Sequence, residues 1–389
     1  MFSHSRAGDS GRLMIYLTNL LVSFHYFIIV YINSAFLSEY VDARDLSLLY
    51  IAGSVSSIVI FILFGRIVRR IGNYRLMILF SFFEIAALSG LAFGQGAAIV
   101  IASFLAYLAV SPAIYLNLDI FLERLTRNER MTGGIRGMFL TMQNIAQVAC
   151  PLLLGFLLPG TDYRLLYLIS IGFLCAGLAL VMARLRRFDD AEYRPRTPWR
   201  SALYVFRHPF LYDAFAAQFL LRFFYAWMVI YTPLYLYKDL GFSWPEIGIM
   251  FSIMLMPFLL LELPLGRAAD SRFGERDMMI SGFALMAVAV LSMPFLPPSF
   301  AFWAAILFVS RVGAACVEMA TESYFFRHVD GSRADMIGLF RMARPVTYIA
   351  AAGVAAASFG FLSLQWSFLV LAAAMAWGLT YAFALRDAR

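Results

Sequence analysis

Twelve apolar runs dominate the chain. They fall at roughly 13–37, 46–66, 75–93, 97–120, 137–158 and 163–184, then 210–237, 244–266, 277–296, 300–323, 337–358 and 362–384. Each is close to the ~20 residues a helix needs to cross a bilayer core. The breaks between them carry Gly, Pro or charge, as in Gly94-Gln95-Gly96 and the stretch from Met293 to Pro298. Period-two alternation is absent, which argues against a β-barrel. The pattern predicts an all-α polytopic membrane protein with 12 transmembrane helices.

Composition supports this. The chain is 62% hydrophobic and 14% charged, with a mean hydropathy of +0.77, where a soluble fold carries about 45–50% apolar and about 25% charged residues. The first run is too long for the core of a cleavable signal peptide and reads as the first span. Cys150, Cys175 and Cys316 lie inside apolar runs, and His4, His25, His208 and His328 are scattered. Neither set has disulfide or metal-ligand spacing, so no metal and no cofactor is expected. P-loop and HExxH patterns are missing as well, and no enzyme activity is expected.

The basic residues set the orientation. Of 31 Lys and Arg, 26 fall at the termini or in every second break, and the opposite breaks hold only Arg44, Arg164 and Lys238. By the positive-inside rule both termini are cytoplasmic, and the expected location is the plasma (inner) membrane. The net charge of +7 follows from this topology and calls for no nucleic-acid partner. The longest break divides the chain into an N-terminal six-helix bundle (1–184), a cytoplasmic linker (185–208) and a C-terminal six-helix bundle (209–389). Within the linker, Thr197-Pro198 reads as an N-cap with a first-turn proline behind it. The segment from Trp199 to His208 is then either a short amphipathic helix at the membrane surface or an irregular basic stretch.

The halves repeat at an offset near 200. Gly65-Arg66 matches Gly266-Arg267, Gly72 matches Gly274, and the segment Asp119–Arg124 matches Glu322–Arg327. Six spans followed by six in the same orientation make a parallel repeat. The loop after the second span carries Gly65, Arg66, Arg70 and Gly72; the loop after the eighth carries Gly266, Arg267, Asp270, Arg272 and Gly274. With the repeat and the basic central loop, these residues resemble the G-x-x-x-D-[RK]-x-G signature of the major facilitator superfamily. Arg69 stands where that signature has aspartate, and the second copy has one extra residue before its last glycine. The resemblance implies two pseudo-symmetric bundles rocking about a midplane site. It also implies that Asp270 latches the cytoplasmic side near Gly133–Gly137, the matching first-half latch being broken by Arg69. Glycine at such a loop permits a tight turn.

Ionisable groups at bilayer depth cost about 2.5–3.5 kcal/mol each on insertion scales, so each needs a reason. His25, Arg222 and Arg311 share one depth near the midplane at about 1.5 Å per residue, and the resemblance places their spans around the central cavity. Two arginines with no acid beside them in sequence point to an anionic substrate held bidentately, or else to pairing with protein acids. Glu318 is the nearest acid to Arg311, but it sits roughly 10 Å along the same helix. Arg222, Arg311, His25, Asn33 and Gln218 are the candidate substrate ligands. Glu318 and Glu322, four residues apart, disfavour double ionisation. Together with Glu84 they are the candidate proton-coupling groups, although Glu84 also fits a hydrogen-bonding role within the first half and Glu322 a pairing with Arg341 or Arg344.

The expected function is secondary transport of a small organic or phosphorylated anion, coupled to protons or another ion, by a monomer in the lipid bilayer. Two alternatives stay open: a proton-coupled exporter of amphipathic cationic drugs, and a non-transporting receptor or scaffold of the same fold. Drug exporters of this superfamily carry a mid-span Arg in the fourth span and a G-x-x-x-G-P-x-x-G-G run in the fifth. This chain lacks the Arg and keeps only Pro151 and Gly155 of the run.

Overall fold

The structure, a computed structural model, describes residues 3–126, 132–157, 162–186, 198–269, 274–328 and 334–385. Fourteen α-helices run through them. The first six-helix set comprises α1 (Ser3–Val30), continued after a two-residue break by the short α2 (Asn33–Leu37), then α3 (Ala43–Ile71), α4 (Asn73–Phe93), α5 (Ala97–Thr126), α6 (Thr132–Leu157) and α7 (Arg164–Arg184). Next come α8 (Pro198–Arg207), α9 (Pro209–Leu234), α10 (Trp244–Ala269), α11 (Glu275–Ser292), α12 (Phe300–His328), α13 (Ala334–Ser358) and α14 (Leu364–Ala384). Setting aside α2 and α8, twelve long helices remain. Among the described residues ten are long and apolar enough to cross a membrane, and Thr141–Leu157 forms a shorter apolar stretch.

Local chemistry starts and stops these helices. Asp42 caps α3, its Oδ1 accepting from the Asp45 N–H at 2.8 Å. Ser243 and Glu246 close the start of α10, with Glu246 Oε2 accepting from the Ser243 N–H at 2.8 Å and from its hydroxyl at 2.6 Å. Pro209 occupies the first turn of α9, where its missing N–H costs nothing. Between α3 and α4 the chain turns at Gly72, whose φ of 82° lies in the left-handed region that favours glycine. Its repeat partner Gly274 has φ −63°, so matched sequence does not mean matched backbone here. Gly65 is not in a turn at all: α3 continues through it, and Arg69 Nε donates to the Gly65 carbonyl at 3.2 Å.

The chain forms two compact units, Met1–Val41 with Ala52–Pro195, and Asp42–Ile51 with Arg196–Arg389. In the first, α1 packs on α5, α6 and α7, and α4 packs on α5 and α7. In the second, α9 packs on α12, α13 and α14, and α11 packs on α12 and α14. The same five pairings recur in both units, with α1 taking the place of α9, α4 that of α11 and α5 that of α12. This is the repeat expressed as packing.

The exterior is apolar, and some polar side chains are buried within the largely apolar core. Ile62, Phe82, Phe83, Leu260 and Val288 are 57–66% exposed, whereas Thr18, Asn19, Ser23, Asn117, Thr232 and Thr321 are fully buried. Apolar surface is at no disadvantage in lipid, and polar side chains there turn inward to find partners. Asn19 Nδ2 donates to the Phe139 carbonyl at 2.7 Å, tying α1 to α6, and Asn73 Nδ2 donates to the Asn117 carbonyl at 3.0 Å, tying α4 to α5.

Close packing of α11 on α12 depends on two facing glycines. A Cβ on Gly313 would lie 2.6 Å from the Gly282 carbonyl oxygen and 3.1 Å from the Met286 backbone nitrogen. Both obstacles are backbone, so the helices themselves must part. Gly313→Ala is expected to destabilise the second unit by about 1–3 kcal/mol, the usual cost of overpacking. A lowered thermal unfolding midpoint reads this out, and an unchanged midpoint would refute it.

Candidate functional site: two charge clusters

The larger cluster joins α9 to α12. On α9, Gln218, Arg222 and Tyr225 succeed one another at spacings of four and three and so share one face; on α12, Arg311, Glu318 and Thr321 do the same at seven and three. Arg222 Nη2 donates to Glu318 Oε1 at 3.0 Å, and the Tyr225 hydroxyl donates to Glu318 Oε2 at 2.8 Å. Both carboxylate oxygens are therefore held. With its amide oxygen toward Arg222, Gln218 accepts from Nε at 3.0 Å and from Nη2 at 3.1 Å, while its nitrogen donates to Thr321 Oγ1 at 3.0 Å. This orientation satisfies both ends of the amide and leaves the Thr321 hydroxyl to donate to the Val317 carbonyl at 2.9 Å.

Arg311 lies behind this pair. Its guanidinium carbon is 4.9 Å from the Phe224 ring centre and 5.1 Å from that of Tyr225, whose ring also lies 5.5 Å from the Arg222 guanidinium carbon. These are cation–π distances. Exposure separates the members: Arg311 is 2% and Gln218 1% exposed, but the Arg222 and Glu318 side chains are 26% and 23% exposed. The ion pair is the accessible part and the rest is its support. Arg222 and Glu318 pair with each other, and Arg311 adds a second guanidinium at the same Tyr225 ring.

The smaller cluster joins α1, α4 and α7. His25 Nε2 lies 2.9 Å from Glu84 Oε1, and His25 Nδ1 lies 2.8 Å from Ser170 Oγ. Ser170 Oγ also donates to the His25 carbonyl at 2.8 Å. Histidine and glutamate are 1% and 0% exposed. Close by in the first unit, the Tyr167 hydroxyl donates to Asn33 Oδ1 at 2.9 Å.

Several sequence-based expectations change. The lack of an acid beside Arg222 in sequence does not leave it unpaired, because helix packing brings Glu318 to it from 96 positions away. Glu318 is thus the partner of Arg222 across the helix contact. The carboxylate's immediate neighbours are Arg222 and Tyr225, so repulsion from Glu322, half-buried one turn further on, is not the main feature of its surroundings. Of the candidate substrate ligands, Arg222, Arg311 and Gln218 come together, while His25 and Asn33 belong to the first unit. Glu84 is partnered by His25. Tyr225, Thr321 and Ser170 were not singled out from sequence; Tyr225 alone had a signal, standing one helical turn from a mid-span arginine. In the loop motif, Arg66 and Arg70 extend the exposed last turns of α3. Asp270 and Arg272, with the proposed latch, lie outside the described residues, as does the side chain of Arg267, while Gly266 falls within α10.

The clusters are not copies of each other. One bridges α9 and α12, whose counterparts are α1 and α5; the other bridges α1 and α4. Among the described residues no group of three or more metal-ligating side chains is found.

Twelve long helices with apolar exteriors and charge held inside describe a polytopic membrane protein built around polar interior sites. The Major Facilitator Superfamily description fits residues 15–254 and again 214–389, and the chain belongs to that superfamily of membrane transporters. Similar solved structures include an auto-inhibited POT-family peptide transporter, 13% identical with a TM-score of 0.77 and 96% of each chain covered. They also include the nucleoside transporter NupG, 12% identical with a TM-score of 0.76, covering 96% of this chain and 99% of that one. At such identity the likeness shows the shared fold. No curated protein matches the chain in sequence.

Proposed function

We propose that the protein is a proton-coupled secondary transporter of a small organic or phosphorylated anion, working by alternating access. It acts as a monomer in the plasma (inner) membrane with both termini cytoplasmic. The observation that carries this reading is the partly exposed Arg222–Glu318 pair with Arg311 buried behind it. Arginine binds carboxylate and phosphate through two parallel hydrogen bonds, and Glu318 already occupies part of that fork. An incoming anion competes with Glu318 for Arg222. A proton on Glu318 removes the competitor's negative charge and frees the Arg222 fork for the anion. Proton and anion then favour each other's binding, a reciprocal coupling that suits symport.

The test is thermal unfolding of the purified protein with dicarboxylates, phosphorylated sugars, neutral sugars and tetraphenylphosphonium. A ligand at 100 times its Kd adds about 2.7 kcal/mol. Stabilisation is expected from one or more anions, stronger at acid than at alkaline pH. Glu318→Gln, a neutral stand-in for the protonated acid, is expected to bind the same anion tightly at both. Stabilisation by the lipophilic cation alone, lost in Glu318→Gln, would replace this reading with cation export.

A further inference from the structure

Hydrogen counting in the first unit leads to a second site, whose assignment is independent of the substrate proposed for Arg222. Ser170 has one hydroxyl hydrogen, and it is committed to the His25 carbonyl at 2.8 Å. With that hydrogen on the carbonyl, which can only accept, the 2.8 Å contact between Ser170 Oγ and His25 Nδ1 takes its hydrogen from Nδ1, a tautomer assigned from the hydrogen-bond geometry. The 2.9 Å contact between Nε2 and Glu84 Oε1 requires one more hydrogen, on either atom. If it sits on Nε2 the pair is imidazolium and carboxylate; if on Oε1, it is imidazole and carboxylic acid. Either way the pair is neutral overall and holds one hydrogen more than a neutral histidine beside an ionised glutamate.

That neutrality matters because the surroundings offer little help to a charge. Glu84 Oε2 has no hydrogen-bond partner among the described residues, and both side chains are sealed from solvent. The other titratable groups on the helices packed against α1 and α4 are Tyr107 and Tyr115 on α5, Cys150 on α6, and Tyr167 and Cys175 on α7. Tyr115 donates to the Val22 carbonyl, Cys150 to the Phe24 carbonyl and Tyr167 to Asn33. Charged residues stand toward the helix ends: Arg12 on α1, Arg75 on α4, Asp119, Glu123 and Arg124 on α5, Arg136 on α6, and Arg164 and Arg184 on α7.

We propose that His25, Glu84 and Ser170 form a proton-binding site within the first unit, loaded in this conformation. The ligand is a single proton held on the line between His25 Nε2 and Glu84 Oε1. Its departure leaves two lone pairs facing each other, or forces Ser170 to give up the His25 carbonyl and donate to Nδ1 while Nε2–H faces an ionised Glu84. Both outcomes place net negative charge in a buried site. Release of the proton is therefore tied to a change in the hydrogen bonds among His25, Glu84 and Ser170, which makes the site a coupling element and not merely a helix-to-helix bond.

Proton release on unfolding tests this with the proton as its own probe. Above the usual ranges of free histidine (about 6.5) and glutamate (about 4.3), the unfolded pair keeps one hydrogen fewer. Unfolding the full-length protein with dodecyl sulfate at mildly alkaline pH, in weak buffer with an indicator dye, is expected to release one proton more per chain from wild type than from Glu84→Gln. In that variant the amide donates to a neutral His25 and no shared hydrogen is present. Equal release would overturn the proposal. A second measurement requires no change at the site: nitrogen-15 NMR of the protein in nanodiscs, with His4, His208 and His328 replaced by glutamine. A hydrogen on Nδ1, with Nε2 also hydrogen-bonded, is the expected signature. An Nδ1 without hydrogen would overturn the assignment.

Discussion

Arg222→Ala is expected to weaken binding of the stabilising anion by at least about thirtyfold. The anion loses two hydrogen bonds to a partly exposed guanidinium, each to a charged group and worth about 1.5–3 kcal/mol, and about 1.4 kcal/mol corresponds to a factor of ten. The variant also leaves Glu318 its hydrogen bond from Tyr225 across the helix contact and removes the guanidinium that pairs with it. Arg222→Lys separates charge from geometry. A lysine keeps the charge but loses the planar fork, and Gln218, which accepts from two guanidinium nitrogens, can no longer bind in the same way. Partial binding by the lysine variant is expected, intermediate between wild type and alanine. Ligand titrations followed by the unfolding midpoint check both. Equal affinity in all three proteins would remove Arg222 from the site.

The second large effect concerns stability. Glu84→Ala removes one half of a buried pair, stranding His25 Nε2 where water does not reach. Leaving a buried polar group without its partner costs about 1–3 kcal/mol, and the cavity left by the missing side chain adds to it, which is large for a single substitution. Glu84→Gln preserves shape and supplies an N–H for Nε2, so its midpoint is expected to stay much closer to wild type. The contrast between the two variants is the informative quantity. If both lower the midpoint equally, the loss comes from packing around α4 and not from the hydrogen bond to His25.

The twelve helices were legible because the bilayer imposes a length and because every second loop is basic. The repeat was legible as well, and the five recurring helix pairings show what it builds. Details at the helix ends were less accessible. The polar last turns of α3 carry Arg66, Arg69 and Arg70, and hydropathy ends a span where the charges begin. The backbone remains helical to Ile71 and turns only at Gly72, because side chains that leave the membrane do not oblige the helix to stop. Gly65 was expected to serve the turn for the same reason.

Within the sites, depth could be read and partnership could not. Arg222 and Glu318 stood out as charges inside apolar runs, but their 3.0 Å contact depends on which faces of α9 and α12 meet. His25 and Glu84 were each visible alone, 59 positions apart, and only the packing of α1, α4 and α7 makes them a pair. Ser170 gives no signal in an apolar helix, where serine commonly bonds its own backbone. Its role emerges only when the single hydroxyl hydrogen is counted against two contacts.

Proton movement accompanying anion addition tests the central claim most directly. Wild-type protein in liposomes loaded with a pH-sensitive dye would receive the stabilising anion outside, with protein-free vesicles setting the passive baseline and Arg222→Ala run alongside. The expected result is acidification of the lumen with wild type, absent with Arg222→Ala. Acidification retained in that variant, or a wild type that moves no proton with any anion that stabilises it, would contradict a proton-coupled anion transporter built on Arg222 and Glu318.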